Sequence, residues 1–182
     1  MSLRFPIRIA VKSELRLVEL KQSQELFALV EANRAQLGKY LPWVEPTRSA
    51  ADVEKFLRGA LKQHADNLGF HGCIWHEKRP VGMAGFHPID WANRNVALGY
   101  WIAREAQGKG LVTAAVRALL RVSFRHYELH RVEIQCATGN RKSCAIARRL
   151  GFRREGVLRG VQKLGEDYND TVVYSMLDSE WE

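Results

Sequence analysis

Three strand-like segments in the middle of the chain are the feature that most limits the folds available to it. They cover residues 70–76, 81–89 and 95–102, and the turns between them, "EKRP" and "DWANRN", are rich in residues that favour turns. Turns this short connect neighbouring strands that run in opposite directions. We therefore expect these segments to form an antiparallel meander.

Segments with helical periodicity lie on both sides of the meander. Residues 22–37 and 49–65 precede it, and residues 109–126 follow it with an apolar stripe at helical spacing. A shorter helix over residues 143–150 is closed by Gly151, a residue type that favours the position after a helix. The pattern thus predicts two helices before the meander and two after it.

Four further segments alternate in the manner of strands: 15–20, 130–137, 153–162 and 168–176. The complete order is one strand, two helices, three strands, one helix, one strand, one helix and two strands. Strands separated by helices favour crossovers in the second half of the chain. We predict a single α/β (α+β) domain over residues 1–182, in which about four helices flank a central mixed, mostly antiparallel sheet of about seven strands.

The composition is that of an ordinary globular protein, with 46% hydrophobic and 26% charged residues in a chain of 182. Every apolar run is shorter than the roughly 18 residues that cross a bilayer. The basic, proline-containing start has no signal-peptide core. We therefore expect a cytoplasmic protein that does not enter membranes.

The three cysteines, Cys73, Cys136 and Cys144, are far apart in the sequence and form no CxxC pair. This spacing favours reduced, mostly buried thiols over a zinc site or a disulfide framework. No cluster of metal-ligating residues accompanies them, and we expect no bound metal.

The formal net charge of +8 and a pI of about 9.7 indicate an anionic partner. The basic residues are spread along the chain without a basic tail or an aromatic RNA-binding motif, and the densest group is Arg148, Arg149, Arg153 and Arg154. An anionic cofactor or an acidic protein would use this charge as well as nucleic acid would. We favour the first two over nucleic acid.

The stretch "QGKG", residues 107–110, lies between the third strand of the meander and a helix. The first amides of a helix have no internal partners and lie at the positive end of its dipole, so a glycine turn before a helix is suited to phosphate. The spacing matches neither GxGxxG nor GxxxxGK[ST]. A tight structural turn is the alternative reading.

Two motifs resemble the GNAT superfamily of acetyl-coenzyme A (acetyl-CoA) dependent N-acetyltransferases. "QGKGLV" is similar to the family's Q/R-x-x-G-x-G/A pyrophosphate loop, and "NRKSCAIARRLGF", residues 140–152, is similar to the helix that flanks the pantetheine arm. "LPWV", "GFHPIDWANR", "GYWIAREAQGKG" and "GFRREGVLRG" resemble the branch that acetylates alanine and serine of ribosomal proteins. The chain departs from the family at Val112, where the loop consensus has a small residue, and at Ala147, where many members have a general-acid tyrosine.

The resemblance implies an acyltransferase that uses acetyl-CoA and no metal. It also implies that the strand before the loop separates from its neighbour, so that the cofactor arm pairs with the exposed edge and backbone amides stabilise the oxyanion. The residues implied to bind the cofactor are Tyr100, Trp101, Ile102, Gln107, Gly108, Lys109, Gly110, Leu111, Val112, Thr113, Asn140 and Ser143.

The resemblance assigns catalysis to Ser143 and Glu155. Ser143 would donate or relay a proton to the leaving sulfur; alternatively it only satisfies a backbone amide at the start of its helix. Glu155 would act as the base through water, and an ion pair with neighbouring arginines is the alternative. Among the histidines, His87 is the best further candidate for a base because it lies near the end of a central strand.

Aromatic residues of the loop "GKYLPWVEP" and of the meander are expected to contact the acceptor. They are Tyr40, Trp43 and Trp91, together with His87, and the alternative is that they fold back onto the core. An unperturbed α-amine has a pKa near 8 against about 10.4 for lysine, a difference of about 3.4 kcal/mol in the free energy of deprotonation. A site without the common tyrosine and with a weak base is therefore better suited to protein N-termini.

Three hypotheses follow for the function. The first is acetylation of the N-terminal α-amine of a protein, such as a ribosomal protein. The second keeps the chemistry but uses a small-molecule amine, such as a polyamine, an amino sugar or an amino acid. The third is a non-catalytic module that binds coenzyme A or RNA. The resemblance to the branch that acetylates ribosomal proteins also implies that the protein forms a homodimer.

Overall fold

A mixed β-sheet forms the centre of the molecule in the computed structural model, which describes residues 3–181. Its strands are β1 (Ile7–Ala10), β2 (Ser13–Leu17), β3 (His71–His76), β4 (Arg79–Phe86), β5 (Asn95–Ile102), β6 (Arg131–Ala137), β7 (Arg153–Leu164) and β8 (Asp167–Leu177). The order in the sheet is β1-β2-β3-β4-β5-β6-β8-β7. Among the strand pairs of the described residues, β5 and β6 are parallel and the others are antiparallel.

Helices cover both faces of this sheet. They are α1 (Ser23–Leu37), α2 (Ala50–Ala65), α3 (Leu111–Arg121), which continues as a π-helical turn over Val122–His126, and α4 (Arg141–Arg149). Cys73 and Met83 pack with α1 and α2, whereas their neighbours Ile74 and Ala84 belong to the core cluster of α3 and α4. This alternation is the one expected when successive strand residues face opposite sides of a sheet.

The parallel pair β5–β6 is only four residues long. Pairing runs from Asn95↔Arg131 to Leu98↔Ile134 and then stops. Beyond this point β5 stays on β4, up to the pair Gly82↔Ile102, while β6 stays on β8. The two strands therefore separate and leave a V-shaped gap in the middle of the sheet.

The predicted fold class is confirmed: residues 3–181 form four helices and a mostly antiparallel mixed sheet, although the sheet has eight strands where about seven were predicted. The additional strand, β1, is a four-residue edge strand, too short to show an alternating pattern. The first predicted strand, 15–20, is shifted: pairing with β3 begins at Ser13, whose hydroxyl lies 2.8 Å from Nδ1 of His76. Residues Leu20–Gln22 form a 3-10 turn. Met1, Ser2 and Glu182 of the predicted domain lie outside the described residues.

Candidate active site

A cavity of about 860 Å³ passes through the gap between β5 and β6. On one side of the sheet its wall comes from α1, from the start of α2 and from the loop between them. On the other side it reaches Asn140 and Ser143 at the start of α4. Most of the wall is apolar, as is usual for a site that binds small molecules. The gap thus connects the two faces of the sheet.

Two glycines form the floor of the cavity beneath α2. Gly85 of β4 and Gly99 of β5 are directly opposite each other in the sheet. A Cβ on Gly85 would lie 2.6 Å from the carbonyl oxygen of Phe70 and 3.0 Å from Nδ1 of His71, and a Cβ on Gly99 would lie 3.2 Å from Nε2 of His87. The imidazoles of His71 and His87 therefore lie against bare backbone, which side chains at these positions would push away.

Arg34 of α1 holds the loop that covers the cavity. Its guanidinium donates hydrogen bonds of 2.5 Å to the carbonyl oxygens of Val44 and Thr47. The hydroxyl of Thr47 in turn donates to the carbonyl of Trp43 at 2.7 Å. Charge-assisted bonds are stronger than neutral ones, so this one side chain fixes the path of the loop from Val44 to Thr47.

The two predicted loop aromatics lie at the cavity. Trp43 is 36% exposed, and its ring lies 6.0 Å from that of Trp101 on β5, centroid to centroid. The hydroxyl of Tyr40 donates to the carbonyl of Gly139 at 3.1 Å and so bridges the loop to the turn before α4. Tyr40, Trp43 and Trp101 all line the cavity.

Asn140 and Ser143 are held together by the start of α4. Asn140 is the N-cap, and its Oδ1 accepts a bond from the backbone N–H of Ser143 at 3.2 Å. The hydroxyl of Ser143 lies 3.0 Å from that of Tyr100. Burial raises the pKa of Tyr100 above its ordinary value of 10, and the bond to Ser143 lowers it only in part. Tyr100 therefore keeps its proton and can donate it to Ser143 as a hydrogen bond.

A tyrosine hydroxyl is thus present although Ala147 occupies the position of the common family tyrosine. Ala147 is completely buried in the core beneath α4. Tyr100 lies on β5, across the cavity from α4, and its hydroxyl reaches Ser143 at the α4 end of the cavity. Tyr100 was predicted only as a cofactor residue, because 43 residues separate it from Ser143 and no local spacing indicates the contact.

The predicted phosphate loop precedes α3. Gly108 and Gly110 have φ of +78° and +75°, and a Cβ on either would meet open space. The backbone conformation, and not crowding, therefore requires glycine here. No side chain among the described residues caps the first turn of α3, and that turn contains no acidic residue. The amides of Leu111, Val112 and Thr113 are left available to an anion.

Basic side chains of α4 reach this loop. Lys142 donates to Oε1 of Gln107 at 2.6 Å, and Arg149 donates to the hydroxyl of Thr113 at 3.0 Å. Lys109 is exposed in the loop itself. The uncapped start of α3 is thus surrounded by cations, the arrangement that favours a phosphate group.

Glu155 lies outside the lining of the cavity. Both of its oxygens accept bonds from Arg131, at 2.7 and 2.6 Å, and Oε1 also accepts from Ser175 at 2.8 Å. These bonds, that to Arg131 first, lower the pKa of Glu155 to about 2. Arg131 also binds Glu133, which accepts a bond from the cavity residue Gln135. The catalytic role of Glu155 stays a prediction; the contacts are those of an ion pair.

Two other predicted site residues have contacts away from the cavity wall. The indole N–H of Trp91 donates to the carbonyl of Asn67 at 2.8 Å, and its ring packs edge-on against Tyr127 at 5.8 Å. The carbonyl of Ile102 accepts from Gln36 of α1 at 3.2 Å. The structure therefore brings Tyr40, Trp43 and His87 of the predicted acceptor residues to the cavity, and places Trp91 outside its lining, against Tyr127.

All three cysteines are buried free thiols. Cys136 and Cys144, eight residues apart in the sequence, have sulfur atoms 3.5 Å from each other, and Cys136 lines the cavity. Burial and the neighbouring thiol raise the pKa of Cys136 to about 12.

Within residues 3–181, no group of three or more His, Cys, Asp and Glu side chains could hold a metal ion. No helix in the same range is long and apolar enough to cross a membrane.

Known proteins share this sequence and fold. The chain is 37% identical to YdaF of Bacillus subtilis (strain 168) over 179 residues, 98% of each chain. It is 29% identical to the ribosomal-protein-serine acetyltransferase of Escherichia coli (strain K12) over 175 residues, 96% of this chain and 98% of that protein. The solved structure of RimL, a ribosomal L7/L12 α-N-protein acetyltransferase in complex with coenzyme A, superposes with a TM-score of 0.91 at 27% identity, covering 95% of this chain and 98% of that one.

The model of the acetyltransferase (GNAT) domain family matches residues 14–153. That range contains the separated strands, the glycine loop before α3, and α4 with Asn140 and Ser143. The resemblance given by the sequence motifs is thereby confirmed, and the chain belongs to the GNAT acetyltransferase family.

Proposed function

We propose that this acetyltransferase acts as a single domain that transfers the acetyl group of acetyl-CoA to the α-amine at a protein N-terminus, with a ribosomal protein as the acceptor. The observation that carries the proposal is the cavity through the β5–β6 gap. It connects Ser143, near the cationic start of α3, with the aromatic wall of Tyr40 and Trp43 on the other face. One substrate can therefore approach from each side of the sheet.

The start of α3 is the proposed site for the diphosphate of coenzyme A. Its amides are uncapped, and Lys142, Arg149 and Lys109 supply positive charge around them. When bound, acetyl-CoA supplies the acetyl group as a thioester. Asn140 lines the cavity at the start of α4, and its amide is proposed to bond the amides of the pantetheine arm.

The backbone of β5 beyond Leu98 is proposed to stabilise the oxyanion. Residues 99–101 line the cavity, and β6 no longer pairs with them. Backbone groups freed in this way are fixed by β4 on their other side, so they need no rearrangement during the reaction. One such donor typically contributes about 3 kcal/mol to the stability of a transition state.

Ser143 is proposed to donate a hydrogen bond to the leaving sulfur, with Tyr100 behind it. Their hydroxyls are 3.0 Å apart, and Asn140 fixes the serine backbone. Tyr100 remains protonated because burial raises its pKa. The serine can therefore accept from Tyr100 while it donates to the sulfur.

The acceptor is proposed to be the α-amine of a ribosomal protein because of the acidity of α-amines, the names of two relatives and the net charge of the chain. A neutral amine is needed for attack, and an α-amine loses its proton at a pKa near 8, about 2.5 units below that of lysine. The E. coli relative and RimL are named for acetylating a ribosomal protein, in RimL at its α-amine. With a net charge of +8, the chain would attract an acidic ribosomal protein in the cytoplasm. The homodimer and the exclusion of nucleic acid stay predictions.

The test is an acetylation assay with the purified protein and acetyl-CoA, read as thiol release and by mass spectrometry of the product. We expect turnover with peptides that begin with serine or alanine and none with the same peptides blocked at the α-amine. Turnover only with polyamines, amino sugars or free amino acids would overturn the acceptor. Binding of coenzyme A or RNA without turnover of any amine would overturn catalysis.

The pair Tyr100 and Ser143 generates a second prediction. We expect Tyr100→Phe to lower kcat about tenfold, the effect of about 1.4 kcal/mol, because one hydrogen bond to the serine is lost. Ser143→Ala should cost more, and adding Tyr100→Phe to it should cost nothing further, because Tyr100 acts through Ser143. The measurement is steady-state kinetics, with Tyr127→Phe, outside the cavity lining, as the control. Additive losses would contradict the relay.

The ion pair of Glu155 generates a third prediction. The side chain is 40% exposed, so Glu155→Gln should lower the free energy of unfolding at pH 7 by less than about 1 kcal/mol. The folded pKa, about 2, lies below the ordinary 4.5, so this contribution is present above pH 4.5 and is lost as the pH falls towards 2. Urea unfolding at several pH values measures it, with the exposed Glu166→Gln as control.

We expect kcat of Glu155→Gln to stay close to that of the parent protein, because the carboxylate already binds Arg131 and does not line the cavity. A loss of about 100-fold in kcat with unchanged unfolding would instead identify Glu155 as a general base.

A further inference from the structure

The proposed function leaves open which group takes the proton of the attacking amine. Three residues that line the cavity besides His87 carry a charge or an imidazole: Asp52, His71 and Lys163. A lysine ammonium has hydrogen-bond donors and no acceptor, so Lys163 is not a candidate. Asp52 belongs to the start of α2, where its carboxylate accepts from the hydroxyl of Ser49 at 2.8 Å and from the N–H of Arg48 at 3.0 Å. These bonds lower its pKa, so it is a weak acceptor.

The two histidines differ in access. His71 lies under α2, where its ring packs edge-on against Phe56 at 5.2 Å, and burial, followed by the proximity of His87, lowers its pKa to about 4. His87 is exposed to solvent at the mouth of the cavity. Partial burial of its ring lowers its pKa from the ordinary value of 6.5. Both imidazoles are neutral at pH 7, but only His87 combines a place in the cavity with contact to solvent.

The position of His87 is fixed relative to the gap. Gly99 is the first residue of β5 that is no longer paired with β6, and Nε2 of His87 lies 3.2 Å from where its Cβ would be. The backbone N–H of His87 donates to the carbonyl of Ala97 at 2.9 Å, which keeps the residue beside β5. The imidazole therefore lies over the point at which the two strands separate.

We propose that His87 is the general base of the reaction, held over Gly99 by the absence of a side chain there. This inference rests on the proposed transfer to an amine. As the amine nitrogen forms its bond to the acetyl carbon, the nitrogen loses a proton to a ring nitrogen of His87. The C–S bond breaks, its electron pair stays on the sulfur, and Ser143 donates a hydrogen bond to that thiolate. His87 then passes the proton to solvent at the mouth of the cavity.

The test compares His87→Gln with the parent protein, because glutamine keeps hydrogen-bonding groups and similar bulk but cannot take up a proton. His71→Gln is the control inside the cavity and His126→Gln the control outside its lining. The acceptor used in these assays is the amine that the parent protein acetylates in the assay described above. We expect kcat/KM of His87→Gln to fall about 100-fold and the Kd for coenzyme A, from calorimetry, to stay unchanged.

The pH profile gives a readout that a structural role would not move. In the parent protein, kcat/KM should fall about tenfold per pH unit below the α-amine pKa near 8, and about a hundredfold per unit once the pH drops below the pKa of His87. The second break should lie below pH 6.5, because the pKa of His87 is lowered. It should disappear in His87→Gln and remain in both controls.

Two results would overturn the assignment. In one, His87→Gln keeps kcat/KM within about threefold and retains both breaks. In the other, the lower break disappears in His71→Gln and not in His87→Gln. In either case the parent protein still acetylates its acceptor, so the proposed function survives. If the parent protein acetylates no amine at all, both the function and the base are wrong.

Discussion

The short parallel pairing of β5 with β6 is the constraint on which the rest of the site depends. After Leu98 and Ile134 each strand keeps one neighbour, β4 or β8, and loses the other. Backbone groups in the middle of a sheet are normally paired, so a gap there is stable only if a ligand or water satisfies them. Fixed on their other edge by neighbouring strands, the freed groups are a rigid framework for an acyl transfer site.

Side chains complete the site from both faces of the gap. On the α4 side, Asn140 caps the helix and holds Ser143 next to Tyr100. On the α1–α2 side, the bare backbone of Gly85 and Gly99 leaves room for two imidazoles. The geometry thus separates Ser143, which is proposed to meet the sulfur, from His87, which is proposed to meet the amine. Such a division suits a reaction that takes a proton from one end and stabilises negative charge at the other.

Local sequence patterns predicted the parts of the site that local structure builds. The glycines at 108 and 110 have the positive φ that their turn requires, and the short helix was found as α4, although it begins at Arg141, two residues before the predicted start, with Asn140 as its N-cap. The contact of Tyr100 with Ser143 and the ion pair of Glu155 with Arg131 join distant segments, so no spacing revealed them. The edge strand β1 was missed because four residues are too few to show the alternation of apolar and polar side chains that indicates a strand.

The most direct measurement is a crystal structure with a bisubstrate compound that links coenzyme A through an acetyl bridge to the α-amine of a serine peptide. The account predicts the pantetheine arm between β5 and β6, the bridge beside Ser143 and the peptide nitrogen over Gly99, within hydrogen-bond distance of His87. The peptide should continue between Tyr40 and Trp43. A peptide that leaves by another face, or an arm outside the β5–β6 gap, would contradict the account.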